Sequence, residues 1–331
     1  MFNDKSILIT GGTGSFGKQC IKTILSRYQP KRLVVFSRDE LKQYEMQQGE
    51  YQHPALRYFL GDIRDEDRLV QAMQGVDYVF HAAALKQVPA AEYNPMEFIK
   101  TNINGTENVM KAALRNEVAK VIVISTDKAV SPMNLYGATK LVAEKLFVAA
   151  NNIAGGHRTR FAVVRYGNVA GSRGSVLPLF RKLIAEGAQE LPVTDERMTR
   201  FWLTIKEGVD FALKSMERMQ GGEVFVPKIP SIRIIDLVAS LKPGIAVKNI
   251  GIRPGEKLHE VLCPADGSHL TLEFNDHFVI KPTISFVVKV DYQVNSLGEK
   301  GIPVKLGFEY NSGNNPHFLT VEQIREMNQT L

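Results

Sequence analysis

Residues 5–17 read KSILITGGTGSFG, a short apolar strand that breaks into a run of glycines. Gly11, Gly14 and Gly17 have the spacing G-x-x-G-x-x-G, and a helical pattern follows. Glycines there permit a tight turn, close approach of the backbone to a pyrophosphate, and tight packing of helix on strand. The stretch therefore predicts a dinucleotide-binding turn. The residues expected to contact the ligand are Gly11, Thr13, Gly14, Ser15, Phe16 and Gly17.

Strand-like and helix-like segments alternate through the first half of the chain. The predicted strands after the first are 32–36, 56–60, 78–80, 121–124 and 161–164, and helical patterns at 65–73, 95–115 and 135–150 lie between them. This alternation predicts βαβ units, right-handed crossovers and helices on both faces of a parallel sheet. We therefore predict an α/β fold with a doubly wound parallel sheet of the Rossmann type.

After about residue 170 this alternation weakens. Prolines recur, and further strands are predicted at 223–226, 278–280 and 285–290. The change predicts a smaller C-terminal lobe that holds the substrate. The predicted division is a dinucleotide-binding domain of 1–169, to which 199–228 returns, and a substrate lobe of 170–198 and 229–331.

The composition is that of an ordinary globular protein, with 44% hydrophobic and 23% charged residues in a chain of 331. Only Cys20 and Cys263 are present, so we do not expect a disulfide framework. We expect a cytoplasmic location for the same reason. The run 7–9 is too short for a signal peptide, and no stretch approaches the roughly 20 apolar residues of a membrane span. The net charge of +6 comes from scattered basic residues. A phosphate-rich small ligand explains this charge more simply than nucleic acid.

The end of the second strand selects the cofactor. An acidic residue there favours the ribose hydroxyl of NAD, whereas an arginine favours the 2′-phosphate of NADP. Ser37 and Arg38 come first, and Lys42 is within reach of a phosphate, so we predict NADP. Asp39, in contrast, favours NAD. A solvated helix start would also explain Arg38 and Lys42.

Further cofactor contacts are predicted where later strands end. Asp62 and Ile63 are placed to touch the adenine, and Ala82 and Ala84 have the small side chains needed beside the nicotinamide ribose. His81 is expected to be packed rather than catalytic.

Tyr136 and Lys140 are spaced i and i+4 on a predicted helix, which puts both on one face. A nearby cation favours the phenolate, so we expect the pKa of Tyr136 to be lowered and the phenol to act as a general base. Such pairs also occur by chance on surface helices. The position behind a dinucleotide loop and ten residues after Thr126 favours the catalytic interpretation.

These two motifs together resemble those of the extended short-chain dehydrogenase/reductases. The stretch 125–128 reads STDK at the end of the fifth strand, where α/β enzymes build active sites. Nucleotide-sugar 4,6-dehydratases that retain the C5 configuration have Glu third in Thr-Asp-Glu, whereas this chain has Lys128. It therefore resembles the inverting UDP-N-acetylglucosamine 4,6-dehydratases of pseudaminic acid biosynthesis, which serves flagellin glycosylation. Other segments similar to that family are 84–89, 165–169, 197–201, 253–257 and 310–315.

The resemblance implies a role for each reacting residue. Tyr136 would take the proton of the 4-hydroxyl, with Lys140 tuning it and Thr126 bonding the same oxygen. Lys128 would be the C5 base, which requires a neutral amine, and burial and the charge of Lys140 would promote that state. Asp127 would be the acid that helps the 6-hydroxyl leave. The cofactor would be tightly held and regenerated in each turnover.

The resemblance also implies a binding site for a UDP-sugar and an oligomer. The helices at 95–115 and 135–150 would pair with a second subunit, giving a homodimer or a hexamer. No metal, nucleic acid or membrane partner is expected. The remaining predicted contacts are Ser125 with the cofactor, Lys86 with both ligands, and Asn168, Val169, Thr194, Met198, Arg200, Arg253 and Glu256 with the sugar nucleotide.

Two other functions remain open from the sequence. A UDP-sugar 4-epimerase or reductase needs Tyr136 and Lys140 but gives Asp127 and Lys128 no task. A non-catalytic NADP-sensing regulator needs none of the four. An intact Tyr-x-x-x-Lys motif argues against the regulator.

Overall fold

The computed structural model describes residues 1–172, 174–253, 255–284 and 290–329. Its strands are β1 (Ser6–Thr10), β2 (Arg32–Ser37), β3 (Leu56–Leu60), β4 (Tyr78–His81), β5 (Lys120–Thr126), β6 (Arg160–Tyr166), β7 (Asn168–Val169), β8 (Glu190–Val193), β9 (Thr199–Leu203), β10 (Val224–Pro227), β11 (Ser231–Arg233), β12 (Ala246–Asn249), β13 (Val261–Cys263), β14 (Thr271–Glu273), β15 (His277–Ile280), β16 (Ile302–Pro303) and β17 (Tyr310–Asn311).

The α-helices in the same ranges cover the sheet faces and build much of the second lobe. They are α1 (Ser15–Arg27), α2 (Glu40–Gln48), α3 (Glu66–Ala72), α4 (Val88–Tyr93), α5 (Pro95–Phe98), α6 (Gly105–Arg115), α7 (Leu135–Ile153), α8 (Val176–Ala185), α9 (Ile205–Arg218), α10 (Ile234–Leu241) and α11 (Val321–Gln329). The predicted helix at 95–115 is interrupted by a π-helical turn, Ile99–Asn104, between α5 and α6. A 3-10 turn, Asp127–Ala129, follows β5.

The central sheet decides where a ligand can bind. Within the described ranges it has ten strands in the order β16-β14-β15-β10-β6-β5-β4-β1-β2-β3. The strands from β10 to β3 are parallel. The chain runs outward from β1 to β3 and then returns past β1 to β4, so the direction of winding reverses beside β1. The predicted doubly wound α/β fold is confirmed, and such folds bind ligands at this reversal, beside the carboxyl ends of the strands.

The parallel strands are apolar because helices cover both faces of the sheet. Every residue of β1 is buried, and Ile7, Leu8 and Ile9 are completely so. Helix α1 buries Ile21 and Ile24 and packs beside α9. This packing brings part of the 199–228 segment onto the main sheet, and β10 joins the sheet next to β6.

The C-terminal part of the chain is divided between two bodies. Strands β14, β15 and β16 extend the main sheet as antiparallel strands, although the sequence suggested that 229–331 belongs to the substrate lobe. The second lobe has its own core around Trp202, Leu191 and Leu237, with β9 in a small sheet between β7 and β11. The predicted strand at 278–280 lies in β15, and the one at 285–290 lies outside the described residues except for Val290. The division into two domains stays a prediction.

The described residues contain neither a membrane-spanning helix nor a metal-binding cluster. No helix there is both long enough and apolar enough to cross a bilayer. No group of three or more His, Cys, Asp or Glu side chains in those ranges is arranged to hold a metal ion.

Candidate active site

Two adjoining cavities run across the carboxyl ends of the parallel strands. The larger has a volume of about 540 Å³ and the smaller about 290 Å³. Both reach the turn after β1 and the residues after β4, so together they form one cleft. The residues lining both cavities are Gly11, Thr13, Gly14, Lys42, Ala82 and Ala84.

The glycine turn has the geometry that a pyrophosphate requires. Gly11 has φ +67°, and a Cβ there would be 2.9 Å from the backbone of Ala83. A Cβ on Gly17 would be 2.5 Å from the backbone of Gly12, so Gly17 brings α1 against the turn rather than lining the cleft. No side chain in the described part of the chain caps α1 at Gly14. Its first N–H groups can therefore bind an anion. Thr13, Ser15 and Phe16 also line the cleft, beside Gly11 and Gly14.

The end of β2 lines the smaller cavity. It also gives a structural role to Asp39, the residue that favoured NAD in the sequence. Asp39 caps α2, accepting a hydrogen bond from Lys42 N at 3.0 Å and a second bond from Lys42 Nζ. These hydrogen bonds lower the pKa of Asp39. Its carboxylate thus caps the helix instead of accepting a hydrogen bond from a ribose hydroxyl. The Arg38 side chain is 55% exposed and lies 3.7 Å from Asp62. The predicted contacts that line this cavity are Ser37, Arg38, Asp39, Lys42, Asp62, Ile63, Ala82 and Ala84.

The loop after β4 is held from the π-helical turn. Asn102 exchanges hydrogen bonds with the backbone of Leu85 at 2.9 Å in each direction, and it donates to Thr139 Oγ1 at 3.0 Å. Lys86, one residue on, lines the larger cavity. His81 is buried and contacts Thr10 Oγ1 at 2.7 Å. Burial and the charge of Lys140 lower the His81 pKa to about 3, so the ring is neutral and packed, as expected.

Helix α7 brings Tyr136 and Lys140 to the cleft. Burial lowers the pKa of Lys140 to about 8, and its Nζ donates to Ile124 O at 2.8 Å. Burial also raises the pKa of Tyr136 to about 12, although the charge of Lys128 and a hydrogen bond with Thr126 oppose the shift. The expectation of a lowered Tyr136 pKa is therefore wrong, because desolvation outweighs the nearby cation.

Lys128 lies between two buried carboxylates. Its Nζ is 3.0 Å from Asp127 Oδ1 and 3.4 Å from Glu260 Oε1, and Thr126 Oγ1 donates to Asp127 Oδ1 at 3.0 Å. Burial opposes the charge on Lys128, but the two carboxylates outweigh it and raise the pKa of Lys128. The expectation of a neutral amine at rest is wrong, since Asp127 and Glu260 bind the ammonium form.

Sequence reasoning missed Glu260. It directly precedes β13 and follows the 253–257 segment that was singled out, but its partner Lys128 is far away along the chain. Asp127 Oδ2 and Glu260 Oε2 are buried and have no hydrogen-bond partner among the described residues. These two carboxylate oxygens beside the cleft can therefore each accept a further hydrogen bond.

One side of the larger cavity is formed by the segment after β6. Asn168 and Val169 line it, as do Ser172 and Ser175, which were not predicted. Three polar atoms on this cleft are buried without a partner in the described ranges and so are available to a ligand. They are Ser125 Oγ, Asn168 Oδ1 and Ser175 Oγ.

Five predicted substrate contacts do not line the described cavities. Thr194 and Met198 are buried in the second lobe. Arg200 is also buried and donates to two backbone carbonyls, Thr199 O at 2.7 Å and Leu258 O at 3.2 Å. The Arg253 side chain is 61% exposed and pairs with Glu256 at 3.0 Å. The described cavities therefore do not include these five residues, although Arg200 lies 3.9 Å from Glu260, which pairs with Lys128.

Comparison with known proteins places the chain among enzymes of sugar metabolism. Residues 7–282 match the family described as "Polysaccharide biosynthesis protein". A UDP-N-acetylglucosamine 4,6-dehydratase (inverting) from Campylobacter jejuni is 58% identical over 328 residues, which cover 99% of this chain and 98% of the relative. A UDP-glucose 4-epimerase from Rickettsia canadensis is 42% identical over 342 residues, covering 100% and 97%.

A solved structure supports the same fold over the whole chain. The protein Pen from Bacillus thuringiensis superposes with a TM-score of 0.89 at 40% identity, covering 100% of this chain and 98% of Pen.

Proposed function

The chain belongs to the polysaccharide biosynthesis protein family, and from that membership we propose that it is a UDP-N-acetylglucosamine 4,6-dehydratase that inverts C5. The observation that carries the proposal is the Asp127–Lys128 pair beside Tyr136 at the cleft. An inverting dehydratase needs an acid and a base in addition to the tyrosine. The relative that is 58% identical over nearly the full chain has this activity in its name.

The proposed reaction leaves the cofactor unchanged. Oxidation of the sugar at C4 gives a ketone, which acidifies the C5 proton. Loss of that proton and of the 6-hydroxyl eliminates water across C5 and C6. The product is a UDP-4-keto-6-deoxy-L-arabino-hexulose after C5 is reprotonated on the opposite face. When bound, NADP accepts the hydride from C4 and returns it to C6.

The residues of the smaller cavity fit NADP. The turn at Gly11 leaves no room for a Cβ, and the N-terminal N–H groups of α1 can hold a pyrophosphate. Arg38 is placed at the end of β2, where a 2′-phosphate lies in this fold. Asp39 already caps α2, which supports the choice of NADP over NAD.

Tyr136 acts on the 4-hydroxyl. Its pKa of about 12 means that the phenol holds its proton at rest. The charge of Lys128 and the hydroxyl of Thr126 both favour the phenolate, so they help Tyr136 lose its proton to solvent and then accept the 4-hydroxyl proton. Lys140 lies one turn further along α7 and carries a charge below about pH 8.

The Asp127–Lys128 pair can supply both the acid and the base. The Lys128 ammonium passes a proton over 3.0 Å to the Asp127 carboxylate, which leaves a neutral amine and a carboxylic acid. The amine then takes the C5 proton, and Asp127 afterwards gives its proton to the departing 6-hydroxyl. Atoms and charge balance for this elimination, and the proton that later enters C5 on the opposite face comes from solvent. The pair thus reaches the state required for catalysis although Lys128 is charged at rest.

An epimerase is the second candidate, because relatives that are 42% identical carry that name. It would use Tyr136 and Lys140 but leave the buried Asp127–Lys128 pair without a task. Incubation of the purified protein with UDP-N-acetylglucosamine, without added cofactor, distinguishes the two by NMR. The dehydratase gives a 6-methyl signal and loses H4, whereas an epimerase keeps all the hydroxyls of the sugar. A protein that changes neither sugar would fit an NADP-sensing regulator.

The wider setting is also a proposal. The enzyme would serve pseudaminic acid biosynthesis and flagellin glycosylation in the cytoplasm. Large apolar side chains are exposed around α4, α5 and α7, among them Tyr93 at 87%, Met96 at 56% and Met133 at 63%. This surface supports a homo-oligomer, a dimer or a hexamer, which light scattering at micromolar concentration tests. Five contacts with the UDP-sugar stay proposals, namely those of Thr194, Met198, Arg200, Arg253 and Glu256. The division into two domains, 1–169 with 199–228 and 170–198 with 229–331, is also a proposal.

A further inference from the structure

The segment 255–260 holds the loop that carries Lys128. Its residues come from the C-terminal part of the chain, and two of the hydrogen bonds join positions more than 120 residues apart. The contacts are Asn134 Nδ2 to Gly255 O at 2.8 Å, Lys257 Nζ to Val130 O, and Lys128 Nζ to Glu260 Oε1 at 3.4 Å. The loop that carries Lys128 is therefore held by a segment from the C-terminal part of the chain.

Glu260 is placed firmly. It is 2% exposed, and Ser312 binds its backbone twice, accepting from Glu260 N at 2.9 Å and donating to Glu260 O at 2.8 Å. The Ser312 hydroxyl is in turn 2.8 Å from Thr199 Oγ1. A buried carboxylate is costly unless a cation compensates it. The nearest cations are Lys128 Nζ at 3.4 Å and Arg200 Nε at 3.9 Å.

Glu260 is not among the residues that line the cleft, and its carboxylate contacts Lys128, which does line it. We infer that Glu260 is a positioning residue for Lys128, supplying the negative charge that the Lys128 ammonium needs while Asp127 holds a proton. This inference rests on the proposed function. After Lys128 has passed its proton to Asp127, the amine takes the C5 proton and becomes an ammonium again. At that moment Asp127 is neutral, and Glu260 is the adjacent carboxylate that still carries charge.

The other charges around Lys128 make this role necessary. Asp127 lies on its own loop, Tyr136 faces it from α7, and Arg200 and Lys257 approach from the C-terminal side. Arg200 lowers the pKa of Lys128, whereas Asp127 and Glu260 raise it against the effect of burial. Without Glu260, an ammonium formed beside a neutral Asp127 would face only like charges. The C5 deprotonation would then be slowed.

Two substitutions separate charge from shape. Glu260→Gln keeps the shape and removes the charge, whereas Glu260→Asp keeps the charge on a side chain one methylene shorter. We expect Glu260→Gln to lower kcat by about 100-fold with KM changed by less than about twofold, because the interaction is made in the transition state. Glu260→Asp should retain more activity than Glu260→Gln. The reverse order, with Gln near wild type and Asp impaired, would show that Glu260 only fills space.

A partial reaction gives a measurement that would not change if Glu260 had only a packing role. C4 oxidation uses Lys128 only through its charge, which the pair with Asp127 keeps in this variant. Glu260→Gln should therefore accumulate reduced cofactor, seen by absorbance, and should slow the exchange of deuterium into C5. Glu190→Gln is the matched control, because Glu190 also pairs with a lysine, Lys248 at 3.1 Å, but on the surface. Its activity should equal that of wild type.

The outcomes distinguish this inference from the proposed function. A wild-type protein that produces no dehydrated sugar overturns the function itself. An active wild type whose Glu260→Gln variant matches Glu190→Gln overturns only the role of Glu260. Circular dichroism and NADP binding establish that each variant is folded. If Glu260→Gln does not fold, a folded Glu260→Asp enzyme whose kcat is lowered without any accumulation of reduced cofactor contradicts the inference.

Discussion

Gly137 lies directly against the carbonyl oxygen of Lys128, and a Cβ at position 137 would be only 2.1 Å from that oxygen. The first turn of α7 and the loop after β5 are therefore in backbone contact. This contact fixes the distance between Tyr136, on the helix, and Lys128, on the loop. A glycine is required here for space, since its φ lies in the ordinary helical region.

We predict that Gly137→Ala forces the loop and the helix apart. Overpacking of this kind costs about 1–3 kcal/mol in the free energy of unfolding, and we expect kcat to fall by more than about 100-fold because reacting groups are displaced. Thermal unfolding and NMR product assays measure the two effects. Gly156→Ala is the control, because no atom lies within 4 Å of its built Cβ. Equal activity in the two variants would contradict the prediction.

Arg38→Ala should weaken the binding of NADP and leave that of NAD nearly unchanged. The Arg38 side chain at the end of β2 is 55% exposed, and its guanidinium lies 3.7 Å from Asp62. A charge-assisted hydrogen bond from the guanidinium to a phosphate contributes about 1.5–3 kcal/mol, or roughly 10- to 150-fold in Kd. Calorimetric titration with both cofactors measures the difference. Equal losses for NADP and NAD would move the selectivity to another residue.

Tyr136→Phe should keep the fold and cofactor binding but lower kcat by roughly two to four orders of magnitude, the scale of a positioned acid–base group. Because Tyr136 acts at C4, no reduced cofactor should appear in this variant. Stopped-flow absorbance after mixing with UDP-N-acetylglucosamine tests this. A variant with near wild-type kcat would assign the 4-hydroxyl proton to another residue.

The pH dependence should report Lys140. Burial lowers its pKa to about 8, so the amine is charged below that pH and neutral above it. If its charge supports the Tyr136 phenolate, kcat decreases as the pH rises through about 8. Lys140→Arg keeps the charge at all these pH values, so its alkaline limb should move upward. An unchanged limb would show that another group titrates there.

Lys128→Ala should stop the elimination of water, because the C5 base is removed, but should still allow C4 oxidation, more slowly than in wild type because the charge that favours the Tyr136 phenolate is lost. Reduced cofactor should then accumulate. In heavy water the wild-type enzyme should place deuterium at C5 of a product with inverted configuration, as NMR can determine. Near wild-type dehydration by Lys128→Ala would remove this lysine from the mechanism. A product with the original C5 configuration would leave Lys128 as a base that acts on one face only.

Local patterns predicted the parts of the site that lie close together in the sequence. The glycine turn is contiguous with β1, and Tyr136 and Lys140 are separated by a single helical turn, so spacing alone places them. The charge of Lys128 could not be predicted in this way. It depends on Glu260, which only the tertiary fold brings within 3.4 Å.

The same limit applies to the sheet. Alternating apolar runs predicted the parallel strands, because each is joined to the next by a helix. Strand β15 is short and follows the second lobe, so nothing local indicates that it pairs with β10 across about 50 residues. The role of Asp39 as a helix cap was likewise hidden, because the same acidic residue at a strand end is typical of an NAD site.

The antiparallel pairing of β10 with β15 has a consequence for synthesis of the chain. Strand β10 ends at Pro227 and β15 begins at His277, so roughly 50 residues separate them, which takes about 3–10 s at about 5–20 residues per second. Until β15 has left the ribosome, one edge of the growing sheet has unpaired N–H and C=O groups. Such an edge accepts any extended strand, including that of a neighbouring nascent chain. The late strands thus act as an intramolecular guard against aggregation during translation.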